Sequence, residues 1–215
     1  MISVFNDKEN RMNENDPILT IAAVTWGHSI HQLRIFLSSL IVQTNPLWKC
    51  ILMHDGPWDM LLLTELEKEY EDPRIVFKNT ETRENCYGHN LRDLMLENFI
   101  NTEYLMFQNA DNYLVPKAIE LSIKEMQESN LNFLIFNCLH NYAGHWWGLP
   151  DYIALNVAPQ TGHCDMGSFV IKTDLAKKVG FKSRAFHADG IFIDSVMATK
   201  PQWKKLDQSV LMVHN

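Results

Sequence analysis

The sequence predicts one α/β domain built on an open, mostly parallel sheet with helices on both faces. Three observations point there. Short apolar runs alternate with amphipathic helical patterns through roughly the first 140 residues, the order expected of βαβ units. Several of these runs are apolar throughout rather than alternating, as in strands covered on both faces. The 215 residues, 46% hydrophobic and 21% charged, suit one well-buried core, and a second full domain would be cramped.

The first strand is read over 18–25 (ILTIAAVT), after a polar and charged stretch, 1–16, expected to form a flexible arm. It ends in Trp26-Gly27-His28-Ser29, and Ser29 and Gln32 have capping-box spacing. Leu33, Phe36, Leu37, Leu40 and Ile41 then recur at helical period. A second strand, 48–53, breaks at His54-Asp55-Gly56-Pro57 and precedes a helix over 59–71. Strand 74–78, a polar loop through 85–88, a helix over 90–98 and strand 104–108 follow. Asn109-Ala110-Asp111-Asn112 leaves that strand, and Pro116 stands where a first-turn proline is tolerated. Ile119, Ile123 and Met126 give the next helix its buried side. Beyond it come strand 131–138, an irregular stretch 139–166 and strand 167–172. Thr173 is read as an N-cap and Gly180 as a helix stop, before a helix over 189–199 and a short strand over 209–213. An irregular segment as long as 139–166 is expected to cover or form a site.

The formal net charge of -7 and the scattered lysines and arginines argue against nucleic acid as a partner. Cys50, Cys86, Cys138 and Cys164 are far apart, with no CxxC, so free thiols in a reducing compartment are expected. Neither a secretory leader nor a transmembrane run is evident. A cytoplasmic location is therefore expected.

Ligands of open α/β sheets bind beyond the carboxyl ends of the strands, and residues 25–29, 54–56 and 109–112 all fall at such ends. Asp111 suits a hard divalent cation that would neutralise a diphosphate, or equally a backbone-bonding turn. Asp55 could accept an N–H from a base ring beside Gly56, or close an Asx-turn. His89 could donate to a phosphate oxygen. Asp189, between a loop and a helix, could serve as a general base or as a helix cap. His214 follows an apolar run and could ligate a metal. In the long loop, Trp146 and Trp147, with Asp151 nearby, suit the faces and hydroxyls of an acceptor sugar, or ordinary lid packing.

With these clusters in view, the chain resembles family 2-type glycosyltransferases of the GT-A fold over roughly residues 18 to 215. The turn Val24-Thr25-Trp26-Gly27, the helix end SSLIVQT (38–44) and the turn His54-Asp55-Gly56-Pro57 follow the order of that family's opening motifs. Gly88, His89 and Asn90 match its diphosphate-side region loosely, and FQNADN (107–112) falls on its metal-binding Asp-x-Asp, with Asn109 in place of the first aspartate. GSFVIKTDLAKKVGF (167–181) and Ala188-Asp189 resemble the acceptor-side elements, and VHN (213–215) resembles a metal-binding C-terminal histidine.

The resemblance implies an inverting, metal-dependent transfer from a nucleoside diphosphate sugar to an acceptor hydroxyl, such as that of a glycan. It implies donor contacts from Thr25, Trp26, Asp55, His89, Asn90, Ala110 and Asp111. Mn²⁺ or Mg²⁺ would sit on Asp111, His214 and Asn109, with Asp189 as base. The chain is short for such an enzyme, so a homo-oligomer completing the acceptor side is among the expected partners. Two rivals stand beside this reading: a nucleotidyltransferase, which should carry a basic, Gly-rich first loop that WGHSIHQ lacks, and a non-catalytic glycan- or partner-binding domain, which Asn109 favours.

Overall fold

Every residue of the first strand, β1 (Leu19–Thr25), is buried, as an uninterrupted apolar run requires. The computed structural model describes residues 16–142 and 150–214. Ser29 caps the helix that follows, α1 (Ile30–Ile41): its hydroxyl accepts from Gln32 N at 3.3 Å and its own N–H donates to Gln32 Oε1 at 3.0 Å. The predicted apolar stripe is the buried face through Leu33, Phe36, Leu37 and Leu40, but Ile41, also expected on it, is exposed at the end of the helix. The next βα units are β2 (Trp48–His54), α2 (Met60–Glu69), β3 (Ile75–Asn79), α3 (His89–Asn98) and β4 (Tyr104–Asn109). Asp59 starts α2 by accepting N–H groups of Leu61 and Leu62. The chain continues through β5 (Tyr113–Leu114), α4 (Ala118–Glu128), β6 (Phe133–Asn141), β7 (Tyr152–Leu155), β8 (Phe169–Lys172), α5 (Thr173–Val179), α6 (Ala188–Ala198) and β9 (Trp203–His214).

The sheet order is β3-β2-β1-β4-β8-β6-β9-β5, with β7 paired to β6. Its first half is wholly parallel: β3 on β2, β2 on β1 and β1 on β4. The second half is mixed, with β8 antiparallel to both β4 and β6, and β9 parallel to β6. Helices cover both faces. Among the described residues no helix is long and apolar enough to cross a membrane, and all four cysteines are free.

The structure departs from the sequence reading in the second half. Thr173 is the first helical residue and Lys172 takes the N-cap position, so the expected threonine cap does not form. The last strand is twelve residues long rather than five, because β6 supplies a partner along most of its length. The stretch read as irregular contains the end of β6 and the short β7, which pair as a hairpin. Trp146 and Trp147 lie outside the described residues.

The Gln-Thr after α1 has a structural task. Buried Gln43 donates to the carbonyls of Ser39 and Val115 at 2.8 and 2.9 Å and accepts from Ile119 N at 3.1 Å. It thereby ties the end of α1 to β5 and to the first turn of α4. Gln43→Leu removes the side-chain partner of the Ser39 carbonyl and of the Ile119 N–H, while the Val115 carbonyl keeps Ala118 N, and is expected to cost roughly 2 kcal/mol. Calorimetry should then show a thermal midpoint lower by roughly 4–8 °C; an unchanged midpoint would refute the assigned role.

Candidate active site

Register decides where the polar turns meet. Thr25 pairs with His54, and Val24 with Asn109, so β1, β2 and β4 end at one level. The chain leaving each strand stays tied to β1: Asp55 N donates to Thr25 O at 2.9 Å, and Ala110 N to Val24 O at 3.0 Å. A cavity of about 430 Å³ opens over this rim, lined by Thr25, Trp26, Asp55, Asn109, Asp111 and His214 among others. Six of the residues singled out in the sequence therefore share one space.

Their surroundings differ. Asp111 has one buried oxygen, Oδ1, with no hydrogen-bond partner among the described residues, while Oδ2 lies 3.5 Å from His28 Nε2. His28 in turn contacts Thr25 Oγ1 through Nδ1 at 2.9 Å. Burial holds the His28 imidazole below its ordinary pKa, and the Asp111 carboxylate opposes that shift. Asp55 is buried and accepts the N–H groups of Glu84 and Asn85 at 2.6 and 3.0 Å. It anchors the loop that roofs the cavity, and Arg83 from that loop holds its guanidinium 5.5 Å above the Trp26 ring. Trp26 is 55% exposed and Tyr87 60% exposed, and both rings line the cavity.

Asn109 is engaged twice: its Oδ1 accepts from Arg92 Nη2 at 2.7 Å and its carbonyl from Asn112 N at 3.1 Å. Arg92 is a buried guanidinium whose pKa is pushed down to about 10 by desolvation, against the pull of Asp189 and Asp165. This buried cation stands behind the position where the resembling family carries an aspartate, and the neutral amide meets it without a full ion pair. His54, which precedes Asp55, donates to Gly56 O at 2.9 Å and packs on Trp58, with ring centroids 4.4 Å apart.

Three expected donor contacts do not line the cavity. His89 is only 3% exposed and stacks on Phe181; burial, aided by the Arg92 and Arg184 charges, pushes its pKa down to about 4. Asn90 donates to Glu84 at 3.0 Å on another face. Ala110 is fully buried beneath the rim.

A second cavity, of about 510 Å³, is lined by His140, Tyr142, Asp165, His187 and Asp189, among others. Asp189 lies in the first turn of α6, and its Oδ1 accepts from Gly190 N at 2.7 Å. Desolvation, reinforced by the Asp165 charge, holds its carboxyl above the usual range. The two cavities meet where His214 Nδ1, on the first, lies 3.4 Å from Asp165 Oδ2, on the second. His140 stacks on His214 with centroids 4.2 Å apart, as their paired positions in β6 and β9 dictate. Asp151 is exposed, and its carbonyl accepts from Tyr142 N at 2.6 Å.

Sequence reasoning missed His28, Arg83, Tyr87, Arg92 and Asp165. Arg92 did leave a trace, as a lone arginine among Leu91, Leu94 and Met95 on a helix. Asp165 gave none, because only the fold of the loop before β8 brings it to His214.

A parallel-to-mixed sheet with helices on both faces and polar clusters at the rim of β1, β2 and β4 defines a GT-A-like fold. Solved structures of S. aureus TarS share it. TarS residues 1–349 superpose with a TM-score of 0.70 at 16% identity, covering 92% of this chain and 60% of that one. The complex of the same fragment with UDP gives 0.67 at 14% identity, covering 91% and 59%. That with UDP-GlcNAc gives 0.69 at 16%, covering 91% and 57%. This chain thus spans less than two thirds of the TarS fragment and 36% of the longer TarS structure. No protein-family model and no curated protein sequence matches the chain.

The raised carboxyl of Asp189 has a consequence for stability. Its folded-state pKa exceeds the unfolded value, so the folded form holds the proton longer and loses stability as pH rises through the folded pKa. Asp189→Asn keeps the oxygen that accepts from Gly190 and removes the charge. The variant is expected to be more stable than the parent at neutral pH, with the gain vanishing once pH falls below the ordinary carboxylate range. Urea unfolding at pH 3 and pH 7.5 measures this, and a less stable variant at pH 7.5 would contradict it.

Proposed function

We propose that this protein transfers a glycosyl group from a nucleoside diphosphate sugar to an acceptor hydroxyl, inverting the anomeric carbon. The carrying observation is the adjacency of two cavities at the carboxyl rim of a GT-A-like sheet, Asp111 facing one and Asp189 the other. Trp26, Tyr87 and Arg83 offer flat and cationic surfaces for a nucleobase. Asp55 keeps further acceptor capacity on its oxygens for a ring N–H while it anchors the loop. TarS, of the same fold, has been solved with UDP and with UDP-GlcNAc, which supports a uridine diphosphate sugar as donor.

The unpartnered, buried oxygen of Asp111 fits a hard cation such as Mn²⁺ or Mg²⁺. Such an ion supplies charge stabilisation to the leaving diphosphate. Asn109 contributes through Arg92, which places positive charge behind the same rim. Asp189 accepts the proton of the acceptor hydroxyl as that oxygen attacks from the face opposite the diphosphate. Its raised pKa makes it a stronger base than an exposed aspartate. Trp146, Trp147 and Asp151 are proposed to flank the acceptor.

A donor screen over UDP-, GDP- and dTDP-sugars, reading release of nucleoside diphosphate, tests the reading directly. Asp189→Asn is expected to bind donor near normally and to lower turnover by about 10²–10⁴. Asp111→Ala is expected to lose the increase in UDP affinity that Mn²⁺ provides. Parental turnover by Asp189→Asn would sink the base assignment. UDP binding that ignores both Mn²⁺ and residue 111 would favour a non-catalytic binding domain.

A further inference from the structure

Where the two cavities meet, His140, Asp165 and His214 bring together one ligand atom each, all within 4.8 Å of one another. They come from β6, from the loop before β8 and from β9, so the tertiary fold rather than a local turn assembles them. We propose that these three residues form a binding site for a divalent cation of the Zn²⁺ or Co²⁺ class, with Asp111 outside its ligand set. The proposal rests on this geometry and not on the glycosyl-transfer reading, and it pairs His214 with His140 and Asp165 rather than with Asp111, the partner the sequence suggests.

Each side chain is oriented for the task. His140 Nδ1 lies 3.1 Å from the Asn141 carbonyl; a carbonyl only accepts, so Nδ1 carries the proton and Nε2 is the lone-pair nitrogen. Donation of the second ring nitrogen to a carbonyl is the usual outer-sphere arrangement of a metal-binding histidine. Asp165 is held the same way: Oδ1 accepts from Gly167 N at 2.7 Å, which turns Oδ2 toward His214. His214 Nδ1 is buried and, despite lying 3.4 Å from that oxygen, has no hydrogen-bond partner among the described residues. A nitrogen and a carboxylate oxygen this close without a hydrogen bond are placed as two ligands are placed. The backing is rigid, since Gly167 packs where a Cβ would meet Gln108 Oε1 at 2.8 Å and Asn112 Nδ2 at 2.9 Å.

The donor set selects the ion. Two imidazoles and one carboxylate suit borderline cations, whereas Mg²⁺ prefers oxygen ligands and its own waters. Zinc–ligand distances of about 2.0–2.1 Å require the three groups to draw inward from their present spacing. Three protein ligands leave a coordination position for water or for an oxygen of a bound diphosphate. The stacked pair alone could instead serve packing, with Asp165 as a charge partner of a protonated His214; that account predicts no ion.

The test uses the full chain, stripped of metal with a chelator and titrated with Co²⁺ without nucleotide. Saturable binding at one ion per chain, with visible ligand-field absorption, is expected. Asp165→Asn, which keeps the Gly167 contact, and His140→Phe, which keeps the ring stack, should each weaken binding at least about tenfold, since even outer-sphere changes commonly cost that much. Asp111→Ala should bind Co²⁺ within about threefold of the parent. Circular dichroism identifies variants that fold, and either folded ligand variant suffices. Absence of Co²⁺ binding by the parent, parental binding by a folded ligand variant, or loss of binding in Asp111→Ala overturns the proposal. A sound ion site with no sugar transfer would instead count against the transferase reading alone.

Discussion

The parallel register of β2, β1 and β4 is the constraint from which the site follows. Because Thr25 pairs with His54 and Val24 with Asn109, three separate chain reversals begin at the same height. Backbone bonds from Asp55 and Ala110 to β1 keep the departing turns at that height. Without this alignment, Trp26, Asp55 and Asp111 would be unrelated loop residues. With it, one cavity receives an aromatic face, an anchored carboxylate and an under-used carboxylate oxygen.

A second layer of order is polar and buried. Arg92 reaches the strand end from α3 and bonds Asn109, while Asn112 donates to Gln108 and Gln108 donates to Gly167 O. The first contact gives the rim of β1, β2 and β4 a fixed positive charge. The second chain joins the end of β4 to the loop that carries Asp165. Desolvating a guanidinium is costly unless its donors are satisfied, so Arg92 constrains what position 109 can hold. An amide oxygen serves Arg92 as acceptor yet leaves the cationic character of the rim in place.

The first half of the fold was legible because its signals are local. The apolar run of β1, the Ser29–Gln32 capping box and the stripe on α1 each specify structure within about a dozen residues, and each took the expected form apart from the exposed Ile41. The second half depends on pairing between distant segments. The length of β9 follows from β6, some seventy residues earlier in the chain, and no local pattern announces it. The same distinction runs through the site. Asp55, Asp111 and Asp189, which line the two cavities, were singled out because strand ends and motif order mark them. Arg92 and Asp165 were not, since their importance comes from burial and from a neighbour across the sheet. His89 shows the converse: beside a glycine it reads as a phosphate donor, but the Phe181 ring takes it into the aromatic core.

The pairing of β9 with β6 includes register shifts between Phe136 and Cys138, after which Cys138, Leu139 and His140 align with Met212, Val213 and His214. Successive side chains of a strand point to opposite faces, so sliding by one position reverses every one of them. The junction of the two cavities thus depends on how these shifts absorb the extra residues of β9. A change in strand length that such a bulge takes up leaves the imidazole in place, whereas one that slides the paired register by a single residue would turn it to the opposite face of the sheet.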